Sequence, residues 1–278
     1  MSHNTVPAAE EILDREFPVL DKGFIRLVDY MGGDQRIVQA ARVSYGEGTK
    51  TVREDEGLID YLLRNDHTSP FEQVVFTFHA KMPVFVARQW VRHRMARINE
   101  ISGRYSVMAD AFYVPALEDV AEQSTDNKQG RMSEPMPVER AEKVRAAIDE
   151  VHRQAYSGYK KLLDDGTARE LARVVLPLSL YTEWYWQIDL HNLFRFLKLR
   201  LDSHAQKEIR AYASVMKNLA SKVCPLAFES FSRHLWGGVK FSDVEMAALK
   251  LMLEGEPHGL KGKEAERFEM KLSENRQI

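Results

Sequence analysis

The chain of 278 residues contains a single cysteine, Cys224. One cysteine cannot form an intramolecular disulfide bond, and it cannot supply a cysteine-based zinc cluster. No run of eighteen apolar residues occurs, and the first twenty residues lack an apolar core flanked by basic side chains. We therefore expect no membrane span and no export signal, and we expect a protein of the reducing cytoplasm.

An excess of charge of one sign is also absent, because 39 Lys and Arg residues stand against 41 Asp and Glu residues. Such a chain has no general attraction for nucleic acid or for anionic membranes. Glycine-rich nucleotide motifs are missing too, and the glycines at 32–33 and 46–48 are ordinary turn signals. A bound nucleotide must therefore be held by side chains.

Predicted strands and helices follow each other without regular βαβ alternation, which indicates an α+β domain. Strands are predicted at 23–32, at 73–83 and after Pro177, and helices at 34–45, 54–65, 84–94, from about 144 to Gly166, and through 189–223. Asp34 is expected to cap its helix. Residues 121–137 are predicted to be an exposed loop, and the last 25 residues a loose charged tail.

The segment "RHRMARINEISGRY", residues 92–105, concentrates arginines around a serine and a glycine. Arginine suits bidentate contact with phosphate, which indicates an anion site. A solvated basic face is the alternative on composition alone. Ser102 and Gly103 favour the ligand site, because glycine lets backbone approach a ligand closely.

This segment resembles the signature RHRxxSxNExSxRY of the flavin-dependent thymidylate synthases. Further blocks resemble that family in the same order, namely "HTSPFE" at 67–72, "ARQWVRHR" at 87–94, "ELARVVLPLSLYT" at 170–182 and "LRLDSHAQKEI" at 199–209. The resemblance predicts a lead-in at 1–22, a synthase domain at 23–236 and a charged C-terminal extension at 237–278.

The resemblance implies a single domain with a central, mostly antiparallel sheet packed by long helices. It also implies reductive methylation of dUMP to dTMP, with 5,10-methylenetetrahydrofolate as one-carbon donor and NADPH as reductant through FAD. The family forms homotetramers whose sites are shared between subunits. Neither nucleic acid nor a membrane is expected as a partner.

The resemblance also assigns site residues. For dUMP these are Gln89, Arg92, Glu100, Ile101, Ser102, Gly103, Arg104, Arg173 and Arg200. For FAD they are Ser69, Arg92, His93, Arg94, Glu100, Asp189, His191 and Arg195. Arg200 is the family's match for the catalytic cation that favours an ionised uracil ring.

Two departures from the family pattern stand out. Arg97 occupies the position of the signature's first serine, and we interpret it as a solvated charge in preference to a phosphate ligand. The second departure is at Asp189, His191 and Arg195, where family members often have Asn, Arg and Asn.

Several residues have simpler interpretations. Trp184, Tyr185 and Trp186 are expected to be packing residues instead of stacking on flavin, and Cys224 is expected to be a buried packing residue. The histidines are not accompanied by a second pair of potential ligands at the spacing of a metal site, so no metal is expected.

Two other functions stay open. One is an enzyme that uses flavin on a different pyrimidine nucleotide. The other is a module that binds single-stranded nucleic acid, which basic and aromatic neighbours also suit.

Overall fold

A computed structural model describes residues 5–43, 52–125 and 128–273. Its centre is an antiparallel sheet of five strands: β1 (Glu16–Val19), β2 (Gly23–Met31), β3 (Val75–Pro83), β4 (Arg97–Glu100) and β7 (Tyr181–Asp189). Their order in the sheet is β1-β2-β3-β7-β4, so the short strand β4 lies at one edge. A separate hairpin pairs β5 (Ala121–Gln123) with β6 (Arg131–Pro135). The predicted α+β architecture and its antiparallel sheet are confirmed.

Helices are interspersed with these strands along the chain. They are α1 (Pro7–Glu10), α2 (Asp34–Arg42), α3 (Val52–Arg64), α4 (Val84–Trp90), α5 (Val138–Asp164), α6 (Arg169–Ala172), α7 (Leu190–Arg200), α8 (Lys207–Val223), α9 (Pro225–Ser230), α10 (Asp243–Leu253) and α11 (Gly262–Ser273). A π-helical turn, Phe231–Trp236, continues α9. Of the predicted helix at 34–45, residues 44 and 45 lie outside the described residues, as does the glycine pair at 46–48.

The core forms where α4, α7 and α8 meet the sheet. The Trp90 ring lies 5.4 Å from the rings of both Trp184 and Trp186, in edge-to-face contact. Phe196 of α7 completes this cluster, 5.3 Å from Trp90. Aromatic pairs of this kind add about 0.5–1.5 kcal/mol each beyond their burial. The cluster therefore fixes the ends of α4 and α7, which carry predicted site residues.

The two tryptophans of the aromatic strand pack in the core, whereas Tyr185 packs on the other face of the sheet. Because side chains alternate along a strand, Tyr185 faces the opposite side of the sheet from Trp184 and Trp186. Its ring stacks on His79 at 4.6 Å and remains 43% exposed.

Two predicted helices are shorter than expected. The helix at 84–94 ends at Trp90, because residues 97–100 pair with the free edge of β7 and the chain must turn to reach it. The helix predicted through 189–223 is interrupted at 201–206. There the side chain of Asp202 accepts a hydrogen bond from the backbone N–H of His204, an alternative to helical bonding.

Two segments predicted to lack regular structure are ordered. The segment 121–137 contains the β5–β6 hairpin, in which the Gln123 side chain donates to the carbonyls of Lys128 and Gly130. The charged tail contains α11, which is anchored by the fully buried ring of Phe268. In each case one side chain supplies a local contact that composition does not reveal.

Asp34 caps a helix other than its own. Gly33 is the N-cap of α2, whereas the carboxylate of Asp34 accepts hydrogen bonds from the backbone N–H groups of Leu226 and Ala227 in the first turn of α9, at 2.8 and 3.1 Å. Burial raises the pKa of Asp34 to about 6, although those two hydrogen bonds oppose the shift. This carboxylate joins two helices distant in sequence.

Across the described ranges, no helix is both long and apolar enough to cross a membrane.

Candidate active site

Arg200, the predicted catalytic residue, lies at the C-terminal end of α7 and is half-buried. Its Nε donates to Nε2 of His93 at 3.0 Å, and its Nη2 donates to the backbone carbonyl of Gln89 at 2.9 Å. The side chain of Gln89 in turn donates to Oε1 of Gln206. Phe196 packs against the His93 ring at 4.9 Å, so the aromatic core orients the acceptor of Arg200. We call Gln89, His93 and Arg200 the guanidinium cluster.

The charge of the guanidinium cluster resides on arginine alone. Burial and the neighbouring charges of Arg200 and Arg195 lower the pKa of His93 to about 4. His93 is therefore neutral at pH 7, and its Nε2 accepts while its Nδ1 carries the proton. Burial also lowers the pKa of Arg200, but a guanidinium remains protonated.

The second half of the arginine motif lies along the sheet edge. The backbone N–H of Ile101 donates to the carbonyl of Glu183 at 2.9 Å, which extends the pairing of β4 with β7. The carboxylate of Glu100 accepts from the hydroxyl of Thr182. Arg97 is exposed and donates to Oε1 of Gln187 at 3.2 Å.

Residues 102–105 then turn away from the edge towards α6. A Cβ on Gly103 would lie 3.0 Å from Sδ of Met108 and 3.1 Å from Cδ of Arg173, so glycine permits this approach. Nε of Arg104 lies 3.3 Å from a carboxylate oxygen of Glu170, and both side chains are more than half exposed. We call Ser102, Gly103, Arg104 and Arg173 the outer arginine loop; its two arginines are exposed, whereas Ser102 is partly buried and Gly103 is buried.

Two predicted flavin-binding residues, His191 and Arg195, line a cavity of about 330 Å³. The remaining lining residues are Leu62, Leu63, Asp66, His67, Thr68, Phe194, Lys198, Leu235 and Lys240. We call this the cationic cavity. The positive charge of Arg195 also contributes to lowering the pKa of His93, which indicates that the cavity lies beside the guanidinium cluster.

Four predicted flavin-binding residues occupy other positions. Asp189 caps α7, since its carboxylate accepts from the backbone N–H and the side-chain amide of Asn192 at 2.9 and 2.8 Å. Ser69 is exposed in the turn that follows Thr68. Arg92 and Arg94 are exposed between α4 and β4.

Nine of the predicted site residues thus fall into three groups in one chain: the guanidinium cluster, the outer arginine loop and the cationic cavity. On β7, Glu183 bonds Ile101 and Gln187 bonds Arg97. These two β7 residues are four positions apart, which is about 13 Å along a strand. The outer arginine loop continues beyond the Glu183 end, whereas α7, which supplies the cavity residues, begins at the opposite end.

Polar residues in or beside these groups were missed by the sequence reasoning, among them Gln206, Lys198 and Lys240. Gln206 lay within the quoted block "LRLDSHAQKEI" and could have been found as a polar neighbour of Arg200. Lys198 and Lys240 carry no motif, and only the tertiary structure brings them to the cavity. Within the described part of the chain, no three metal-ligating side chains converge.

Comparison with known proteins identifies the family. Residues 26–226 match the family described as thymidylate synthase complementing protein, and residues 239–278 match the thymidylate synthase ThyX C-terminal domain. A flavin-dependent thymidylate synthase of Treponema denticola is 65% identical over 96% of this chain and 100% of its own length. That of Thermus thermophilus is 57% identical over 86% of both chains.

A solved structure agrees with these matches. The UMP/dUMP methylase PolB of Streptomyces cacaoi, bound with 5-Br UMP, superimposes with a TM-score of 0.71 at 32% identity, covering 80% of this chain and 98% of its own. Family match, close relatives and fold all agree: this chain belongs to the flavin-dependent thymidylate synthases.

Proposed function

We propose that this chain methylates dUMP to dTMP, with the one-carbon unit drawn from 5,10-methylenetetrahydrofolate and the reducing equivalents from NADPH through FAD. The observation that carries the proposal is Arg200, a half-buried guanidinium held by His93 and Gln89 in a chain of this family. The single, buried Cys224 suits a cytoplasmic setting.

The chemistry requires negative charge in the uracil ring, because C5 of neutral uracil is a poor nucleophile. Arg200 can stabilise a ring ionised at N3 by presenting a fixed positive charge in a partly desolvated place. Two of its three nitrogens are engaged by protein acceptors, so the guanidinium is oriented before substrate binds. Neutral His93 holds Arg200 without cancelling its charge.

A thiol adduct offers an alternative activation, and the geometry disfavours it. Cys224 is completely buried, and burial together with the nearby charge of Asp34 raises the pKa of its thiol well above the usual value. A buried thiol of high pKa is a poor nucleophile. Arg200 is therefore assigned the activating role.

We assign the dUMP phosphate to the outer arginine loop. Arg104 and Arg173 suit bidentate contact with phosphate, and Ser102 adds a hydroxyl donor. Gln89, Arg92, Glu100 and Ile101 are assigned to the base and sugar. Both arginines of the loop are exposed, so they can meet a ligand from outside the subunit.

The cationic cavity suits part of a flavin dinucleotide. Its guanidinium, ammonium and imidazole groups match phosphate, and its leucines and Phe194 match an aromatic ring system. Its volume is at the lower end of the range for small-molecule sites, so the rest of the cofactor must extend past it. We assign the part of FAD inside the cavity to His191 and Arg195. The remainder of the cofactor is assigned to Ser69, Arg92, His93, Arg94, Glu100 and Asp189. Bound FAD would supply the hydride that reduces the one-carbon unit to a methyl group.

We further propose a homotetramer with shared sites. A site completed by a neighbouring subunit would unite the guanidinium cluster of one chain with the outer arginine loop of another. Light scattering should give about four times the chain mass of 32.0 kDa. A stable, fully active monomer would contradict it. The catalytic unit is taken as residues 23–236, with a lead-in at 1–22 and an extension at 237–278, whose start the family match at residue 239 supports.

The direct test starts from the visible spectrum of the freshly purified protein. Bound oxidised flavin makes the protein yellow, and dUMP should accelerate its oxidation of NADPH. The product, formed only with methylenetetrahydrofolate present, should be dTMP. A protein that stays colourless after FAD is added would refute the proposal.

Methylation of UMP is a second candidate, because the superimposed Streptomyces protein is a UMP/dUMP methylase bound with 5-Br UMP. Parallel reactions with UMP and dUMP, separated by chromatography, distinguish the two functions. Turnover of dUMP alone supports thymidylate synthesis, and equal turnover of both supports the broader activity.

A further inference from the structure

The π-helical turn and the C-terminal segment that follows it reach the cationic cavity. The cavity is lined by Leu235 and Lys240, by residues of α3 and of the turn that follows it, and by residues of α7. Lys240 is exposed, and it lies at the start of the segment that matches the C-terminal domain of the family. The cavity is therefore built from three separate parts of the chain.

A network around Asp60 of α3 fixes the π-helical turn. The carboxylate of Asp60 accepts from Nη1 of Arg233 and lies within hydrogen-bonding distance of Nε2 of His234, both at 2.8 Å, and it accepts from the hydroxyl of Ser230 at 3.3 Å. Three partners on one carboxylate hold the turn against α3. As a result Leu235 is placed beside the α3 leucines of the cavity.

The next residues redirect the chain towards the cavity opening. A Cβ on Gly238 would lie 2.2 Å from the backbone carbonyl oxygen of His234, a distance that no side chain tolerates. Glycine therefore permits a tight turn between His234 and Lys240. On the far side, Phe241 packs edge-to-face on Phe268 of α11, 6.1 Å between centroids. Lys240 is thus held between two anchored neighbours.

The charges of the cavity indicate the ligand class. Arg195, Lys198 and Lys240 outnumber the single carboxylate of Asp66. Apolar side chains from α3 and α7 complete the walls. A cationic rim over an apolar wall suits a nucleoside diphosphate, with the phosphates on the cations and the purine on the wall.

We propose that Lys240 binds the diphosphate of FAD, so that the C-terminal extension completes the cofactor site. This inference rests on the proposed flavin-dependent function. It assigns to the extension a direct contact with the cofactor, in addition to any role in folding.

The test compares three full-length variants, freed of flavin and titrated with FAD and with riboflavin while flavin fluorescence is followed. Lys240→Gln removes the charge, Lys240→Arg keeps it, and Lys261→Gln is the matched control, because Lys261 is an exposed lysine of the same extension that does not line the cavity. Loss of a charge-assisted contact should raise the Kd for FAD about tenfold in Lys240→Gln. Riboflavin, which has no phosphate, should bind all variants equally, and ADP should compete with FAD for the wild type.

An unchanged Kd for FAD in Lys240→Gln would overturn the inference. An equal loss of FAD affinity in Lys261→Gln would also overturn it, because the effect would then come from the overall positive charge of the extension. If a parallel titration showed that Lys240→Gln weakens the binding of NADP⁺ and leaves that of FAD unchanged, the cavity would be assigned to the reductant. A wild-type protein that binds neither FAD nor riboflavin would instead refute the proposed function itself.

Discussion

The guanidinium cluster and the exposed arginines Arg97 and Arg104 of the motif differ in how firmly the chain holds them. In the cluster, Gln89 and His93 accept hydrogen bonds from half-buried Arg200, and the His93 ring packs against Phe196 of the aromatic core. Arg97 and Arg104 each have one polar side-chain partner, Gln187 and Glu170. One chain therefore preorganises the guanidinium cluster and leaves the exposed arginines open to ligand or to another subunit.

The energetic contrast follows from exposure. An ion pair as exposed as Arg104 with Glu170 contributes less than about 1 kcal/mol, because water screens it and two long side chains lose freedom. Arg200 donates to neutral acceptors in a partly buried setting, where hydrogen bonds are stronger. We expect variants of the guanidinium cluster to affect chemistry and variants of the exposed arginines to affect binding.

The largest expected effect is that of Arg200→Ala. Removing the charge that stabilises the ionised ring should lower kcat about 100-fold or more, the size of loss seen when an oxyanion donor is removed. The measurement is dTMP formation at saturating dUMP in a protein that retains its flavin spectrum, so that lost binding is not mistaken for lost chemistry.

The matched control is Cys224→Ala, which alters a buried residue distant from the motif in sequence. Its turnover should remain within a few-fold of wild type, with at most a modest loss of stability from the smaller side chain. If Cys224→Ala abolished turnover in a folded, flavin-bound protein while Arg200→Ala retained it, a thiol adduct would replace the proposed mechanism.

A complementation experiment tests whether Arg200 and Arg104 of one site come from different chains. Arg200→Ala and Arg104→Ala should each be nearly inactive at low dUMP concentration. If every site takes Arg200 from one chain and Arg104 from another, about a quarter of the sites in equal, randomly reassembled mixtures carry both residues, so activity should recover to that order. Mixtures that stay as inactive as their components would place both residues in a single chain.

The pH dependence of stability provides a third comparison. The pKa of His93 is lowered to about 4 in the folded state, so its contribution to stability is complete above its unfolded pKa near 6.5 and is lost as pH falls towards 4. The pKa of Asp34 is raised to about 6, so burying its charge lowers stability as pH rises from about 4 to 6. The two contributions oppose each other in the wild-type protein.

Single variants should expose each contribution. Relative to wild type, His93→Asn should become less stable as pH rises from 4 to 6.5, and Asp34→Asn should become more stable over pH 4 to 6. Each change should be about 1 kcal/mol after allowance for partial solvent exposure. Urea unfolding at several pH values measures both, and slopes of equal sign would contradict the assignment.

The smallest effect is expected for Arg97→Ser, which restores the signature residue. Because Arg97 is exposed and donates to Gln187, its removal should change the affinity for dUMP less than tenfold, or about 1.4 kcal/mol. A larger loss in a dUMP titration would assign Arg97 to the substrate site.

Local patterns predicted several of the regular elements. The strand at β3 and the helix at α5, which ends just before Gly166 with φ of +82°, follow from β-branched runs and from helical periodicity. The predictions failed where a distant partner decided the outcome. Asp34 caps α9 because tertiary packing brings the start of α9 to its carboxylate, and sequence spacing carries no trace of that contact.

The candidate site shows the same division. The family resemblance named the arginine motif through its signature and Arg200 through the block at 199–209, because their chemistry depends on residue types in a fixed order. Lys198 and Lys240 belong to no such order, so their approach to the cavity could be seen only after α7 and the π-helical turn had been packed together.

By itself, then, the amino-acid sequence determined the family, the mixed architecture and the chemical types at the site, since these follow from short patterns of side chains. Only the tertiary structure decided that His93 is held neutral beside Arg200, that Arg104 and Arg173 stay exposed, and that the C-terminal extension reaches the cationic cavity. The physical reason is that burial, pKa and cavity walls depend on contacts between residues far apart in the chain, which no local pattern records.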